Sequence, residues 1–186
     1  MKERKARTFR RRIIALMVIV VVVASLGVIY YIYGSRPVTK VLLRTSMGNI
    51  TIQLYDDMPI TAGNFKNLIR DGVYDGTTFH RANAYVIQGG NAVPKGITVP
   101  PIQDELPNKY SNDRGSVAMA KTSQPDSATS QFYINLRDNS QSYDSNYSVF
   151  GTVIAGMSVV DAIGNLAKSD ETLSQVVTII KAEFTT

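Results

Sequence analysis

The longest hydrophobic feature of the chain is an uncharged run near the N-terminus, IIALMVIVVVVASLGVIYYIY, at residues 13–33. In a helix, about 20 apolar residues at a rise of about 1.5 Å each cross a hydrocarbon core about 30 Å thick. The run has no polar face, which makes a buried core helix a poor alternative. The pattern therefore predicts a transmembrane helix over residues 13–33.

The flanking charges indicate how this helix is oriented. Residues 1–12 contain seven Lys or Arg residues and a single acid, Glu3. Since basic flanks stay in the cytoplasm, we expect a basic cytoplasmic tail at 1–12 and an extracytoplasmic domain after Tyr33. A cleaved signal peptide is the alternative, but the apolar run is longer than an ordinary h-region and no convincing cleavage site precedes Gly34. We expect an uncleaved, single-pass signal anchor in the cell membrane, joined by a short linker at 34–39 to a domain at 40–186.

From residue 40 onward, short segments alternate between apolar and polar positions, which predicts β-strands. Two segments have helical spacing instead, at 59–72 and 156–167, and the first places Phe65, Leu68 and Ile69 on one buried stripe. Residues 91–113 are rich in Pro, Asn and Asp and predict a loop. Many short strands with two helices favour an antiparallel sheet that closes on itself. The predicted strands are 40–45, 50–55, a strand that contains Arg81, 115–121, 130–136, 147–154 and 176–184.

Charge and composition narrow the possible functions. The net charge is +5, but residues 1–35 contribute 7 − 1 = +6, which leaves −1 for residues 36–186. The basic residues are thus a topology signal, and no nucleic-acid interface is predicted. The chain has no cysteine and one histidine, which argues against common zinc sites and a thiol nucleophile. We expect neither a metal nor a cofactor, and we expect a monomer.

Other familiar chemistries lack their motifs. There is no G-x-S-x-G elbow that would make His80 the base of a serine hydrolase. Gly89-Gly90 lacks the lysine and the following helix of a phosphate loop. Carboxylate pairs such as Asp56-Asp57 and Asp104-Glu105 lie in turns or loops, where we expect structural, solvated roles.

One arginine remains, among uncharged polar and aromatic residues, in FHRANAYVIQGGN at 79–91. Strand alternation places Arg81 on the same face as Phe79 and opposite His80. We expect His80 to be structural and to make a buried hydrogen bond.

The segment SQFYINL at 130–136 alternates in the same way. Gln131 and Tyr133 fall on one face, which suits a site, and Phe132 and Ile134 fall on the other, which suits a core.

The motifs FHR, YVIQGG, GSVAMAK, PDSATSQFYINL, VFGTV and GMSVVDAI, in this order, resemble the cyclophilin-type peptidyl-prolyl cis/trans isomerases, bacterial ones in particular. The resemblance covers about residues 38–184. It implies a mainly β fold, a closed eight-stranded antiparallel β-barrel capped by two α-helices, with a peptide groove on its outer face. It also implies that Arg81 is the catalytic group. The positions that match the family's groove are Tyr85, Val86, Gln88, Ala120, Gln131, Tyr133, Tyr143 and Tyr147.

Prolyl isomerisation fits a site of this composition. Rotation about an X-Pro bond is opposed by amide resonance, with a barrier of about 20 kcal/mol, and no covalent bond is broken. A donor that bonds best to the twisted amide lowers that barrier, and a guanidinium supplies fixed donors that keep their charge. The expected partners are proline-containing polypeptides.

The chain departs from the family pattern mainly just after Arg81. The segment up to Tyr85 is one residue short, Ala82-Asn83-Ala84 replaces a bulkier stretch, and Val86 stands for a methionine. Asn91 and Lys121 replace the usual aspartate and asparagine, and Ser142 takes the place of a tryptophan absent from the chain. The first hypothesis is an isomerase that assists protein folding at the extracytoplasmic membrane surface. The alternatives are an anchored, weakly or non-catalytic module that binds proline segments, and a purely structural anchored domain.

Overall fold

The computed structural model describes residues 17–25 and 39–186. Residues 17–25 are helical and exposed, while the remainder of the predicted membrane segment at 13–33 and the basic tail at 1–12 lie outside the described residues. In the two described ranges, no helix combines the length and the hydropathy that a membrane crossing requires. The transmembrane anchor therefore stays a prediction.

Eight antiparallel strands close into a barrel in the order β1-β2-β7-β5-β6-β4-β3-β8. This confirms the predicted mainly β, eight-stranded closed barrel. Seven observed strands correspond to the predicted segments, and β4 was not predicted as a separate strand. The strands are β1 Lys40–Thr45, β2 Gly48–Leu54, β3 Thr78–Ala82, β4 Val86–Gly89, β5 Ser116–Met119, β6 Phe132–Asn135, β7 Val149–Ala155 and β8 Val177–Thr185.

Three α-helices accompany the barrel: α1 Thr61–Arg70, α2 Ser140–Tyr143 and α3 Met157–Gly164. The first and third correspond to the two predicted helices. The pattern missed α2 because a single turn is too short to show a helical period. Residues 91–113 are irregular as predicted, apart from a 3₁₀ turn at Val93–Lys95.

The barrel core is built around aromatic rings. Phe65 of α1 lies 4.9 Å from Tyr74, 5.3 Å from Phe132 and 4.9 Å from Phe150, measured between ring centroids. Phe65, Leu68 and Ile69 are all buried, which confirms the predicted apolar stripe. Edge-to-face and tilted pairs at these separations are favourable for aromatic rings, so this helix is packed firmly against the barrel.

Carboxylates fix the long loop to this framework. Glu105 accepts hydrogen bonds from the backbone N–H groups of Ile60 and Thr61, and so caps the N-terminus of α1. Asp104 forms an ion pair with Lys121, and both side chains are largely buried. The prediction of a structural role for Asp104-Glu105 is therefore confirmed, but the expectation that these groups are solvated is wrong.

The two glycines of the QGG motif have steric roles. A Cβ on Gly89 would lie 2.8 Å from the ring of Phe79. Gly90 has φ +78°, and its Cβ would lie 2.8 Å from the ring of Tyr74 and 2.9 Å from that of Phe132. A side chain at either position would displace the core rings, and at Gly90 it would also strain the backbone.

Substituting Gly90 by Ala should lower the free energy of unfolding by about 2 kcal/mol or more, because left-handed strain and ring clashes add. Gly63→Ala in α1 is the matched control, since its Cβ would have open space. That change should raise stability by about 0.5–1 kcal/mol. Urea denaturation of both variants measures these effects, and equal stability of Gly90→Ala and wild type would contradict the steric argument.

Candidate active site

A β-bulge at His80 determines where Arg81 points. Across the β3–β4 pair, Phe79 faces Gly89 and Arg81 faces Gln88, so His80 is an extra residue without a partner in the register. Directly paired residues share a face, which places Phe79 in the core and Arg81 on the outer surface. The prediction that Arg81 and Phe79 share a face is wrong, because the bulge breaks the period of two.

The outer face of the sheet carries one continuous row of side chains across five strands. Arg81 pairs with Gln88, Gln88 with Tyr133, Tyr133 with Ala118, and Ala118 with Val149. Neighbouring strands lie about 4.8 Å apart, so a row across five strands extends about 19 Å. The predicted alternation of β6 between core and outer face is confirmed, since Phe132 and Ile134 are in the barrel core and Tyr133 belongs to the outer row.

At one end of the row, polar side chains form a chain of hydrogen bonds. Arg81 Nη1 donates to Gln88 Oε1 at 3.1 Å, and Gln88 Nε2 donates to Gln131 Oε1 at 2.8 Å. The Arg81 side chain is 43% exposed. The predicted residues Arg81, Gln88 and Gln131 therefore lie together, with their polar groups turned toward one another.

The other side of the guanidinium contacts an acid that the sequence did not single out. Arg81 Nε donates to Glu171 Oε2 at 2.6 Å, and Nη2 lies 2.5 Å from the same oxygen. Glu171 Oε1 accepts a hydrogen bond from Asn83 Nδ2 at 3.1 Å. Hydrogen bonds from Asn83 and Arg81 lower the pKa of Glu171 below its ordinary value, so it is ionised at neutral pH.

At the other end of the row lies a cluster of apolar side chains, called the apolar floor here. Val86, Ala118, Tyr133 and Val149 are buried together on the outer face. Tyr133 lies edge-on to Tyr143 and Tyr147, with ring centroids 5.9 Å and 5.7 Å away. The structure thus brings the predicted residues Val86, Tyr133, Tyr143 and Tyr147 together, with Ala120 packed beside them.

The floor is fixed by a buried hydrogen bond. Tyr133 donates from its hydroxyl to Asn112 Oδ1 at 2.7 Å, and Asn112 is fully buried. Asn112 in turn donates from Nδ2 to Asp144 Oδ1 at 2.8 Å. Burial raises the pKa of Tyr133 far above its ordinary value, which keeps the hydroxyl protonated as a donor.

Tyr85 differs from the other predicted groove residues. This residue is 47% exposed and lies outside the buried cluster, and the guanidinium carbon of Arg137 lies over its ring, 5.3 Å from the ring centroid. A polar cleft of about 370 Å³ adjoins the polar end of the row. Its lining residues are Gln88, Ala120, Lys121, Thr122, Ser127, Thr129 and Gln131.

The family model for "Cyclophilin type peptidyl-prolyl cis-trans isomerase/CLD" matches residues 40–184. The chain belongs to the cyclophilin-type peptidyl-prolyl cis-trans isomerases. It is 46% identical over 140 residues to a peptidyl-prolyl cis-trans isomerase of Acinetobacter baylyi, covering 70% of this chain and 74% of that one. It is also 40% identical over 156 residues to peptidyl-prolyl cis-trans isomerase A of Dickeya dadantii, covering 79% and 82% of the two chains.

Solved structures support the same fold. A cyclophilin-type isomerase of Cryptosporidium parvum superposes with a TM-score of 0.72 at 24% identity, covering 80% of this chain and 98% of that one. A second crystal structure, of the same protein in the presence of the dipeptide Ala-Pro, gives a TM-score of 0.71 at 25% identity, covering 79% and 99%. The resemblance stated from the motifs is confirmed at the level of family, barrel fold and isomerase activity.

His80 sits beside this cyclophilin groove without a hydrogen-bond partner for Nδ1, which is buried. The predicted buried hydrogen bond is therefore missing at that nitrogen. Burial lowers the pKa of His80 below 6.5, and the charge of Arg81 acts in the same direction, while polar groups of Thr78 and Gln131 oppose the shift without cancelling it. The imidazole is neutral at physiological pH.

The lowered pKa of His80 should make the protein less stable in mild acid. In mild acid, His80 of the unfolded chain binds a proton more readily than His80 of the folded chain. The free energy of unfolding therefore falls as the pH drops from the ordinary pKa of 6.5 toward the lower pKa of the folded state. Thermal melts between about pH 7.5 and about pH 5.5 measure this dependence, and His80→Gln should flatten it. Equal slopes for wild type and variant would show that burial of this histidine contributes nothing.

Proposed function

We propose that this isomerase uses Arg81 as its catalytic group and the outer row of β3, β4, β6, β5 and β7 as its substrate groove. The observation that carries the proposal is that one cross-strand row ends in a guanidinium on one side and in an apolar, aromatic pocket on the other. Prolyl isomerisation requires both, because the ring must be held while the neighbouring amide rotates.

In this mechanism the proline ring rests against Tyr133, with Val86 and the rings of Tyr143 and Tyr147 beside it. The amide before the proline then lies toward Arg81. As that amide twists, its nitrogen loses resonance and becomes a better acceptor, and a guanidinium N–H bonds more strongly to the twisted form than to either planar isomer. Gln88 and Gln131 keep the donor in place, and Ala120 and Tyr85 border the peptide.

We propose further that the enzyme acts on proline-containing chains at the extracytoplasmic surface of the cell membrane. The support is the uncharged run at 13–33, the basic cluster on its N-terminal side and the short linker at 34–39. A linker of six residues extends at most about 20 Å, which keeps the groove near the membrane.

Arg81→Ala should reduce the turnover of a proline-limited peptide by about 10²–10³-fold, since a single catalytic donor is worth that much. The measurement is the isomerisation rate of a peptide with one X-Pro bond, with the full chain as enzyme. Arg44→Ala is the matched control, because Arg44 also forms an exposed pair with a glutamate, Glu183, but lies on β1 outside the groove.

The same assay separates catalysis from binding. If Arg81→Ala loses turnover but retains peptide affinity, the arginine acts on the rotating amide. If wild-type turnover equals the uncatalysed rate while the peptide still binds, the binding-module hypothesis replaces the proposed mechanism. If Arg81→Ala turns over normally, the catalytic group lies elsewhere.

The proposed topology predicts that protease added to intact cells removes residues 40–186. Permeabilised cells provide the control for total accessibility, and a cytoplasmic protein provides the control for cell integrity. A domain that is protected in intact cells and digested only after permeabilisation would contradict the extracytoplasmic placement.

A further inference from the structure

We propose that Glu171 is a positioning residue that holds the Arg81 guanidinium toward the groove, an inference that rests on the catalytic role of Arg81 proposed above. Glu171 lies in the loop between α3 and β8, 90 positions from Arg81 in the sequence. It contacts the arginine on the side opposite the hydrogen bond from Nη1 to Gln88.

Two restraints determine which donors remain for a substrate. A guanidinium has five N–H donors in one plane. Glu171 engages the Nε edge, where Nε donates at 2.6 Å and Nη2 lies 2.5 Å away, and Gln88 engages Nη1 at 3.1 Å. The donors left over belong to the two terminal nitrogens. With only the Gln88 contact, the plane could rotate about a single hydrogen bond.

Glu171 is itself held by the backbone. Its carbonyl oxygen accepts a hydrogen bond from Ala82 N at 2.9 Å, next to Arg81 in β3, and its own N–H donates to Lys168 O at 3.0 Å. Its φ is +63°, a conformation that disfavours a residue with a Cβ. The loop therefore keeps this side chain against β3 although a glycine would fit the backbone more easily.

The shortened segment after Arg81 supplies the second anchor. Asn83 Oδ1 accepts hydrogen bonds from the N–H groups of Tyr85 and Val86, which closes the turn between β3 and β4. Asn83 Nδ2 is then free to donate to Glu171 Oε1 at 3.1 Å. One carboxylate oxygen thus faces Asn83 and the other faces Arg81.

Orientation, rather than stability, is the main effect of this pair. The Arg81 and Glu171 side chains are 43% and 42% exposed, so water screens their attraction and the pair adds little to the folding free energy. The expected effect on the catalytic rate is larger, because a small misplacement of a catalytic group sharply reduces the rate. Arginine side chains are flexible, and each additional hydrogen bond removes rotamers that point away from the groove.

Glu171→Gln tests this role with little change in shape. A carboxylate has two acceptor oxygens, one for Arg81 and one for Asn83, whereas an amide has one acceptor and one donor. The glutamine therefore loses one of the two contacts and, in either orientation, the negative charge that attracts the guanidinium. The matched control is Glu183→Gln, because Glu183 accepts from Arg44 Nε at 2.7 Å with Nη2 also 2.7 Å away, on β8 and β1 outside the groove.

The experiment measures kcat and KM on a single-proline peptide, together with the arginine Nε–Hε resonances of the full chain by NMR. We expect Glu171→Gln to lower kcat about tenfold, with KM within about twofold of wild type, because the rate depends on alignment more than binding does. The Arg81 Nε–Hε resonance should move toward the position of an unpaired arginine. In Glu183→Gln, the Arg44 resonance should move while kcat stays unchanged.

Three outcomes would overturn the inference. The Arg81 resonance could stay in place in Glu171→Gln, which would mean that the charge of the carboxylate does not hold the guanidinium. The resonance could move while kcat is unchanged or higher, which would mean that the contact is passive or inhibitory. Glu183→Gln could lower kcat equally, which would mean a general charge effect. Failure of the proposed function is distinguishable, since it would appear as turnover that Arg81→Ala does not change.

Discussion

One extra residue in β3 makes it possible for the same short strand to serve both the barrel core and the outer groove. Without the bulge at His80, alternation would put Arg81 on the side of Phe79, among the aromatic rings of the core. A guanidinium there would be buried without an acid to pair with, at a large desolvation cost. The bulge turns Arg81 outward into the row formed by Gln88, Tyr133 and Ala118, and every later contact of the site depends on that reversal.

Acidic side chains then tie the loops to this framework in a chain without disulfides. Glu105 caps α1, Asp144 binds Asn112 beneath the pocket, and Glu171 binds Arg81 at the rim. Each of these carboxylates connects segments at least 32 positions apart in the sequence. Backbone and side-chain donors bind each of these carboxylates, so each fixes a loop by geometry as well as by charge. The long segment at 91–113 is therefore held in place although its only helical element is the short 3₁₀ turn at Val93–Lys95.

Local patterns predicted most of the fold and only part of the site. Alternation located every strand except β4, and helical spacing located α1 and α3, because both signals repeat within a few residues. The bulge at His80 depends on the register with β4, which no property of β3 alone reveals. Glu171 was missed for a similar reason, since its loop meets β3 only after the barrel closes. Tyr143 and Tyr147 were found through the motif resemblance, because α2, which ends at Tyr143, is too short to show a period and Tyr147 lies in the irregular segment after it.

The two ends of the groove differ in how firmly they are held, and this difference suits the reaction. The apolar end rests on Tyr133, whose hydroxyl bonds to the fully buried Asn112, and buried hydrogen bonds of this kind are costly to break. The polar end consists of half-exposed contacts of Arg81, which exchange with water more easily. Isomerisation needs a proline ring that stays still and a preceding amide that turns through half a rotation. In the proposed mechanism, the rigid floor holds the ring, and Arg81, directed by Glu171 and Gln88, acts on the amide, so opposite ends of one row meet these two requirements.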